Sequence, residues 1–254
     1  VFELQNHWID RGMFAIEAAL SLYIFITGIR HRKYLATLLV SVQFAGIAWF
    51  EHSFSSASPV RNTILVDRFS IIMALIIGII GGLICVYALG YMKDFHRHHK
   101  EMKDKRPFFF FVLFVFLSAM YGIVFSNSLT WLFFFWEITT ISSFLLIGYT
   151  KTKEATDNAF RALIMNLSGG LAFALAILWL GWKGLPLELT ALISSKSGMI
   201  LIPAALICYA GIAKAAQLPF SSWLLGAMVA PTPTSAVLHS STMVKAGVYI
   251  VLRF

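Results

Sequence analysis

In 254 residues with a formal net charge of +8, hydrophobic side chains make up 59%, charged ones only 13%, and mean hydropathy is +0.79. Soluble domains carry roughly 25% charge, so this composition excludes a water-soluble enzyme. The basic residues lie between apolar runs, where they act as topology signals rather than as a nucleic-acid surface. Apolar runs of about 20 residues recur without two-residue alternation, which indicates membrane-crossing helices and not a barrel.

In chain order, the runs predict about eight transmembrane helices, an all-α polytopic membrane protein. The first covers Met13–Ile29, the second Tyr34–Phe50 and the third Phe69–Met92. Pro107–Thr150 is too long for one crossing, and Ser126-Asn127-Ser128 offers a turn, giving a fourth helix at Phe108–Phe125 and a fifth at Leu129–Tyr149. The sixth is Asn158–Trp182. The seventh region, Gly198–Met228, exceeds a simple crossing, and Pro219 removes a backbone donor within it. It is therefore expected to be broken, with one half to Ala215, a loop through Gln217-Leu218-Pro219, and a second half to Met228. Pro231 and Pro233 open the eighth helix, which ends near Phe254. With the N-terminus outside, twelve of the 20 Lys and Arg fall in inner loops and six outside. This excess supports both the count and the orientation. Arg61 and Lys196 are among the outer six and Lys100 among the inner twelve. Trp49, Trp131 and Trp182 then fall at the outer interface. Val1 is not a start methionine, so a processed or truncated N-terminus is expected.

The remaining two lysines, Lys214 and Lys245, lie inside apolar spans, as does Glu137. A charge at the bilayer centre costs a few kcal/mol or more and usually marks an ion or proton path. A buried lysine beside a carboxylate can switch: at an effective dielectric near 20, widening the pair from about 4 to about 8 Å loses roughly 2 kcal/mol. The bland alternatives are a packing carboxylate at Glu137 and a snorkelling lysine at Lys214. Spacing alone does not place the two together. His239, Ser240, Ser241 and Thr242 share the eighth helix with Lys245, so a relay there competes with a merely hydrogen-bonded histidine. Six residues apart, His239 and Lys245 point to different faces. His96, His98 and His99 read as a solvated basic loop near Asp94, Glu101 and Asp104, not as a metal site. Gly78, Gly82 and Ser168-Gly169-Gly170 are small-residue patches for close helix contact. Glu17, near the outer end of the first helix, is expected to snorkel. Cys85 and Cys208 lie in apolar spans, and without CxxC, iron–sulfur or haem-attachment patterns no cofactor is expected in this chain.

The stretch from Lys214 through Gln217-Leu218-Pro219-Phe220 and Ser221-Ser222-Trp223 to Ala227–Tyr249 resembles a family signature, as does Trp136-Glu137 followed by Ser143–Gly148. The family is the antiporter-like subunits shared by respiratory complex I, Mrp-type sodium/proton antiporters and membrane-bound group 4 hydrogenases. The match is dense over Pro107–Phe254. It is weaker before, resting on Asp67-Arg68-Phe69-Ser70 and Gly90-Tyr91-Met92. The resemblance implies residues 1–106 as an N-terminal three-helix region and 107–254 as one five-helix antiporter-type repeat (helices four to eight). It implies Glu137 as the fifth-helix glutamate, Lys214 as the lysine of the broken helix with Pro219 at the break, and His239 and Lys245 as the onward relay. At Gly170 the largest of the antiporter-like subunits in complex I tends to carry an acid, and its absence leans toward the Mrp and hydrogenase branches. The family's second repeat is absent from these residues. Either a further segment or another polypeptide is expected to supply it.

The expectation is a proton- or sodium-translocating subunit of a redox-driven or Mrp-type complex in a prokaryotic cytoplasmic membrane. Its partners would be the lipid bilayer and other membrane and peripheral subunits, with no nucleic acid. The alternatives are a stand-alone secondary antiporter and a structural membrane anchor.

Overall fold

A computed structural model describes residues 7–54, 60, 62–99, 103–195 and 198–254. Val1, Arg61, Lys100, Glu101, Lys196 and Ser197 lie outside the described residues. The helices are α1 (His7–Arg30), α2 (Tyr34–Ser53), α3 (Arg68–His98), α4 (Arg106–Phe125), α5 (Leu129–Ile147), α6 (Lys153–Trp182), α7 (Leu189–Ser194), α8 (Leu201–Lys214), α9 (Ser222–Gly226), α10 (Thr232–Ala236) and α11 (Met243–Arg253). Among the described residues seven helical stretches are long and apolar enough to cross a membrane, and Gly198–Lys214 is a shorter apolar helix. This is a polytopic all-helical membrane protein, and its short seventh span ends where the break was expected.

The split between α4 and α5 falls at Ser126–Ser128, and buried Asn127 explains why this polar turn is stable. Its backbone N–H donates to Thr63 O at 2.8 Å and its side-chain amide to Asn62 O at 2.9 Å. Its oxygens accept from Leu189 N at 2.7 Å and Thr190 N at 3.1 Å. One residue thus satisfies backbone groups of three connections at the same end of the bundle.

The core sits around α5 and α6. α1, α2 and α3 keep few side chains inside and expose apolar rows such as Leu75, Ile79, Leu83 and Val86, the surface a bilayer covers. Trp49 and Trp182 are exposed near their helix ends, as interfacial tryptophans are. Small residues set the closest helix approaches. A Cβ at Gly169 would meet Ala213 Cβ at 3.1 Å and the Ala210 backbone at 3.3 Å, which explains the extensive α6–α8 contact. Gly211 and Gly247 bring the α8 and α11 backbones together. Gly78 seats Tyr121 and Gly81 seats Leu117, whereas a Cβ at Gly82 would meet nothing within 4 Å among the described residues.

Several boundaries differ from expectation: α1 begins at His7 rather than Met13 and α2 runs on to Ser53. α3 runs on to His98, so His96 and His98 are helical rather than loop residues. Three basic side chains fill its last turn, where the helix dipole is negative. The rings of His96, His98 and His99 each contact a backbone carbonyl four residues back, at 3.0, 2.9 and 3.0 Å. α6 begins at Lys153, not Asn158, because Thr152 caps it by accepting from Ala155 N at 3.1 Å and Glu154 occupies its first turn.

Candidate functional site

Lys214 is the last residue of α8, and the chain beyond it cannot continue the helix. Ala216 adopts a left-handed φ of 52°, and Pro219 follows. Such a break leaves carbonyls without helical donors. At this end Ala213 O accepts from Ala216 N in a tightened last turn at 3.2 Å and also from the Trp223 indole of α9 at 3.0 Å, so the second half-helix helps cap the first.

The break places the Lys214 ammonium inside the protein, 1% exposed. Its Nζ donates to Trp136 O at 2.9 Å and Thr140 Oγ1 at 3.2 Å, and lies 4.1 Å from the centre of the Trp136 ring. A buried cation is tolerable only with such partners. They belong to α5, and the carbonyl is that of the residue before Glu137. The Glu137 side chain is also buried, and Lys214 is the cation facing it. No ion pair joins the carboxylate and the ammonium directly among the described residues, and Glu137 Oε1 has no hydrogen-bond partner. Lys214 is thus held by neutral acceptors next to a carboxylate that it attracts without touching.

Glu137 faces Gly170 of α6 and Gln43 of α2. A Cβ at Gly170 would stand 2.5 Å from Glu137 Oε1 and 3.0 Å from Gln43 Oε1. Glycine at this position therefore makes the room the carboxylate occupies. The sequence reading missed Gln43, because an uncharged amide in an apolar run gives only a weak signal. It also misplaced Glu17. That side chain does not snorkel: it is 7% exposed and faces Glu137 and Glu51. The α1–α2 hairpin packs along the core and covers it.

The eighth span is interrupted as well, which was not expected. Between α10 and α11 one wide turn covers Val237–Ser241, and Thr242 leaves helical geometry at φ −129°, ψ −78°. Thr242 Oγ1 donates to the freed Val237 carbonyl at 2.6 Å. Such wide turns recur at functional sites. His239 lies in this one, hydrogen-bonded to the Leu224 backbone, with its Nε2 buried and unpartnered. Lys245 corrects the sequence reading, which treated it as buried: it is exposed. α11 buries Met243, Ala246, Gly247, Tyr249 and Ile250 against its neighbours, and Lys245 falls off that stripe. The structure thus brings Lys214 and the Glu137 segment together, while no hydrogen bond among the described residues ties His239 or Lys245 to them.

This buried pair at a helix break lies within the part of the chain where a family model matches. The model described as "NADH:quinone oxidoreductase/Mrp antiporter, TM" covers residues 126–254. The chain belongs to the NADH:quinone oxidoreductase/Mrp antiporter family. A second model, "NADH-Ubiquinone oxidoreductase (complex I), chain 5 N-terminus", matches residues 49–100, which include the weaker stretches Asp67–Ser70 and Gly90–Met92 of the expected resemblance. Among relatives in this family, the A1 subunit of a Na(+)/H(+) antiporter of Staphylococcus haemolyticus (strain JCSC1435) is 38% identical over 193 residues, 74% of this chain and 23% of that protein. The A/B subunit of a probable K(+)/H(+) antiporter of Rhizobium meliloti (strain 1021) is 39% identical over 201 residues, 76% of this chain and 19% of that protein. A chain in the structure of the Mrp complex from Dietzia sp. DQ12-45-1b superposes with a TM-score of 0.64 at 29% identity, covering 94% of this chain and 27% of that one. The present chain therefore spans about a quarter or less of the family members it matches. These relatives are antiporter proteins. The hydrogenase branch of the expected resemblance rests on family kinship alone.

Proposed function

We propose that this chain is the ion-translocating portion of an Mrp-type antiporter subunit, in which Lys214 holds the moving proton and Glu137 modulates its affinity. His239 and Lys245 carry the proton onward, and Pro219 keeps the seventh span broken at the lysine. The observation that carries this reading is the Lys214 ammonium: enclosed, hydrogen-bonded among the described residues to the Trp136 carbonyl and the Thr140 hydroxyl, set over the Trp136 ring, and near a carboxylate with which it forms no ion pair there. A structural lysine would form a closed ion pair, because breaking or leaving a buried pair unmade is costly. A lysine meant to lose its proton needs neutral partners that remain satisfied when it does. The wide turn at His239, with an unpartnered ring nitrogen, leads into α11, the helix packed on α8.

No cofactor of its own enters this mechanism. The partners would be the other membrane subunits of the complex, and the exposed Lys245 face would meet either the rest of the polypeptide or one of them. The inner-loop excess of Lys and Arg favours an outside start of α1 in a prokaryotic cytoplasmic membrane. Residues 107–254 would then act as one five-helix translocating repeat, with 1–106 packed beside it. The test is cation/proton exchange by the complete complex in vesicles. Lys214→Ala and Glu137→Gln should lower exchange by about 100-fold or more, as loss of a proton-transferring group does, with assembly unchanged on native gels. Wild-type exchange by an assembled Lys214→Ala complex overturns the proposal and leaves an anchoring role.

A further inference from the structure

We propose that Glu17 and Gln43 form, with Glu137, a side branch through which protons pass between the Lys214 site and the end of the bundle where α1 begins. It rests on the reading of Lys214 just given and adds a route that reading lacks.

The register of α1 against α5 supports the placement. The Trp131 indole of α5 donates to Asp10 of α1 at 2.9 Å, so both helices start at the same end and run in parallel. From Asp10 to Glu17 is seven residues, a rise of about 10 Å, and from Trp131 to Glu137 is six, a rise of about 9 Å. The two carboxylates therefore reach the same depth. Seven residues also return to nearly the same face of α1, so Glu17 points where Asp10 points. The charged groups facing Glu17 are Glu137 of α5 and Glu51 of α2, and Glu51 in turn faces Asp10. A file of acids thus runs from the exposed Asp10 at the helix start to the buried Glu137.

The second observation concerns the atoms at the inner end. Glu137 Oε1 and Gln43 Oε1 are both enclosed and neither has a donor. Both fill the space that a side chain at Gly170 would take. The Gln43 side chain hydrogen-bonds Glu137, and an amide, which both donates and accepts, can bridge one carboxyl to the next. What suits the remaining carboxylate oxygen is a hydrogen of its own, as on a protonated carboxyl. A metal ion fits less well, because among the described residues no three His, Cys, Asp or Glu side chains cluster closely enough to hold one.

The experiment uses the complete complex in sealed vesicles, with Cys85 and Cys208 replaced by serine. Glu17→Cys should react with a small membrane-impermeant thiosulfonate added on the side where α1 starts and not on the other. In assembled complexes Glu17→Gln should lower exchange by about tenfold or more and displace its pH profile, while Glu17→Asp retains both. A Glu17→Cys thiol that stays inert from both sides, or Glu17→Gln with wild-type rate and profile, overturns the branch. If Lys214→Ala abolishes exchange while Glu17→Gln changes nothing, the branch alone falls; if Lys214→Ala is also without effect, the reading of the Lys214 site falls with it.

Discussion

A single methyl group at Gly170 would crowd the carboxylate that the lysine depends on. The atoms it would meet are the ends of the Glu137 and Gln43 side chains, which can swing aside, so Gly170→Ala should leave the melting temperature nearly unchanged. A displacement of about 1 Å at a proton-transferring group costs up to about 100-fold in rate, so exchange should fall by about 10- to 100-fold. A parallel drop in both stability and exchange would show that Gly170 serves packing instead. Trp223 is the opposite case. Trp223→Phe removes the indole donor from Ala213 O, which should cost about 1 kcal/mol and loosen the end of α8 that carries Lys214. A lowered melting temperature with reduced exchange is the expected pair of readings. Glu137 and Lys214 were legible in the sequence because a charge inside an apolar run has no cheap explanation. Glu17 met the same criterion and was misread because the helix was expected to start at Met13, whereas α1 begins at His7 and carries Glu17 ten residues in. The environment of a side chain there depends on which helices lie beside it, and spacing does not report that.

At the scale of the element, both broken spans serve to put polar side chains at depth. In the seventh the sequence announces the break through Pro219. In the eighth it does not, because Pro231 and Pro233 sit at the opening of the span, and the interruption comes later, in the wide turn at Val237–Ser241 and the geometry at Thr242. Ala216 holds a left-handed φ of 52°, which costs roughly 1–3 kcal/mol for a residue with a Cβ. Ala216→Gly should therefore be neutral or slightly stabilising, and Ala216→Val should destabilise by about 1 kcal/mol or more, read as melting temperature in detergent. The α8–α11 contact is less forgiving. A Cβ at Gly247 would collide with Gly211 O and stand 2.6 Å from Ala215 N, and backbone cannot move aside. Gly247→Ala should cost about 1–3 kcal/mol and separate the helix bearing Lys214 from the one bearing Lys245.

Across the whole molecule, α3 and α11 are joined at the end where α3 starts. Asp67 caps α3 by accepting from Ser70 N at 2.8 Å and binds Arg253 Nη2 at 2.8 Å. The hydrogen bonds from Arg253 are the main reason the Asp67 carboxyl is held well below the usual carboxylate range. A carboxyl so depressed stabilises the fold at every pH above about 3.9, its unfolded value, and its contribution fades only as pH falls through the lowered one. The side chain is 37% exposed, so after screening the pair is worth about 1 kcal/mol or less. Asp67→Asn should lower the melting temperature by a constant small amount from neutral to mildly acidic pH, the difference vanishing only in strong acid. The sequence by itself determined that the chain is helical, crosses the membrane about eight times, breaks its seventh crossing, and carries charges too costly to be idle. Those conclusions follow from the price of placing backbone and charge in hydrocarbon, which each segment states on its own. Only the tertiary structure decided that Lys214 reaches the Trp136 carbonyl, that Glu17 and Gln43 join Glu137, and that Lys245 lies outside this packing. Those are relations between helices, and they depend on which glycines let backbones approach and which side chains fill the space left over.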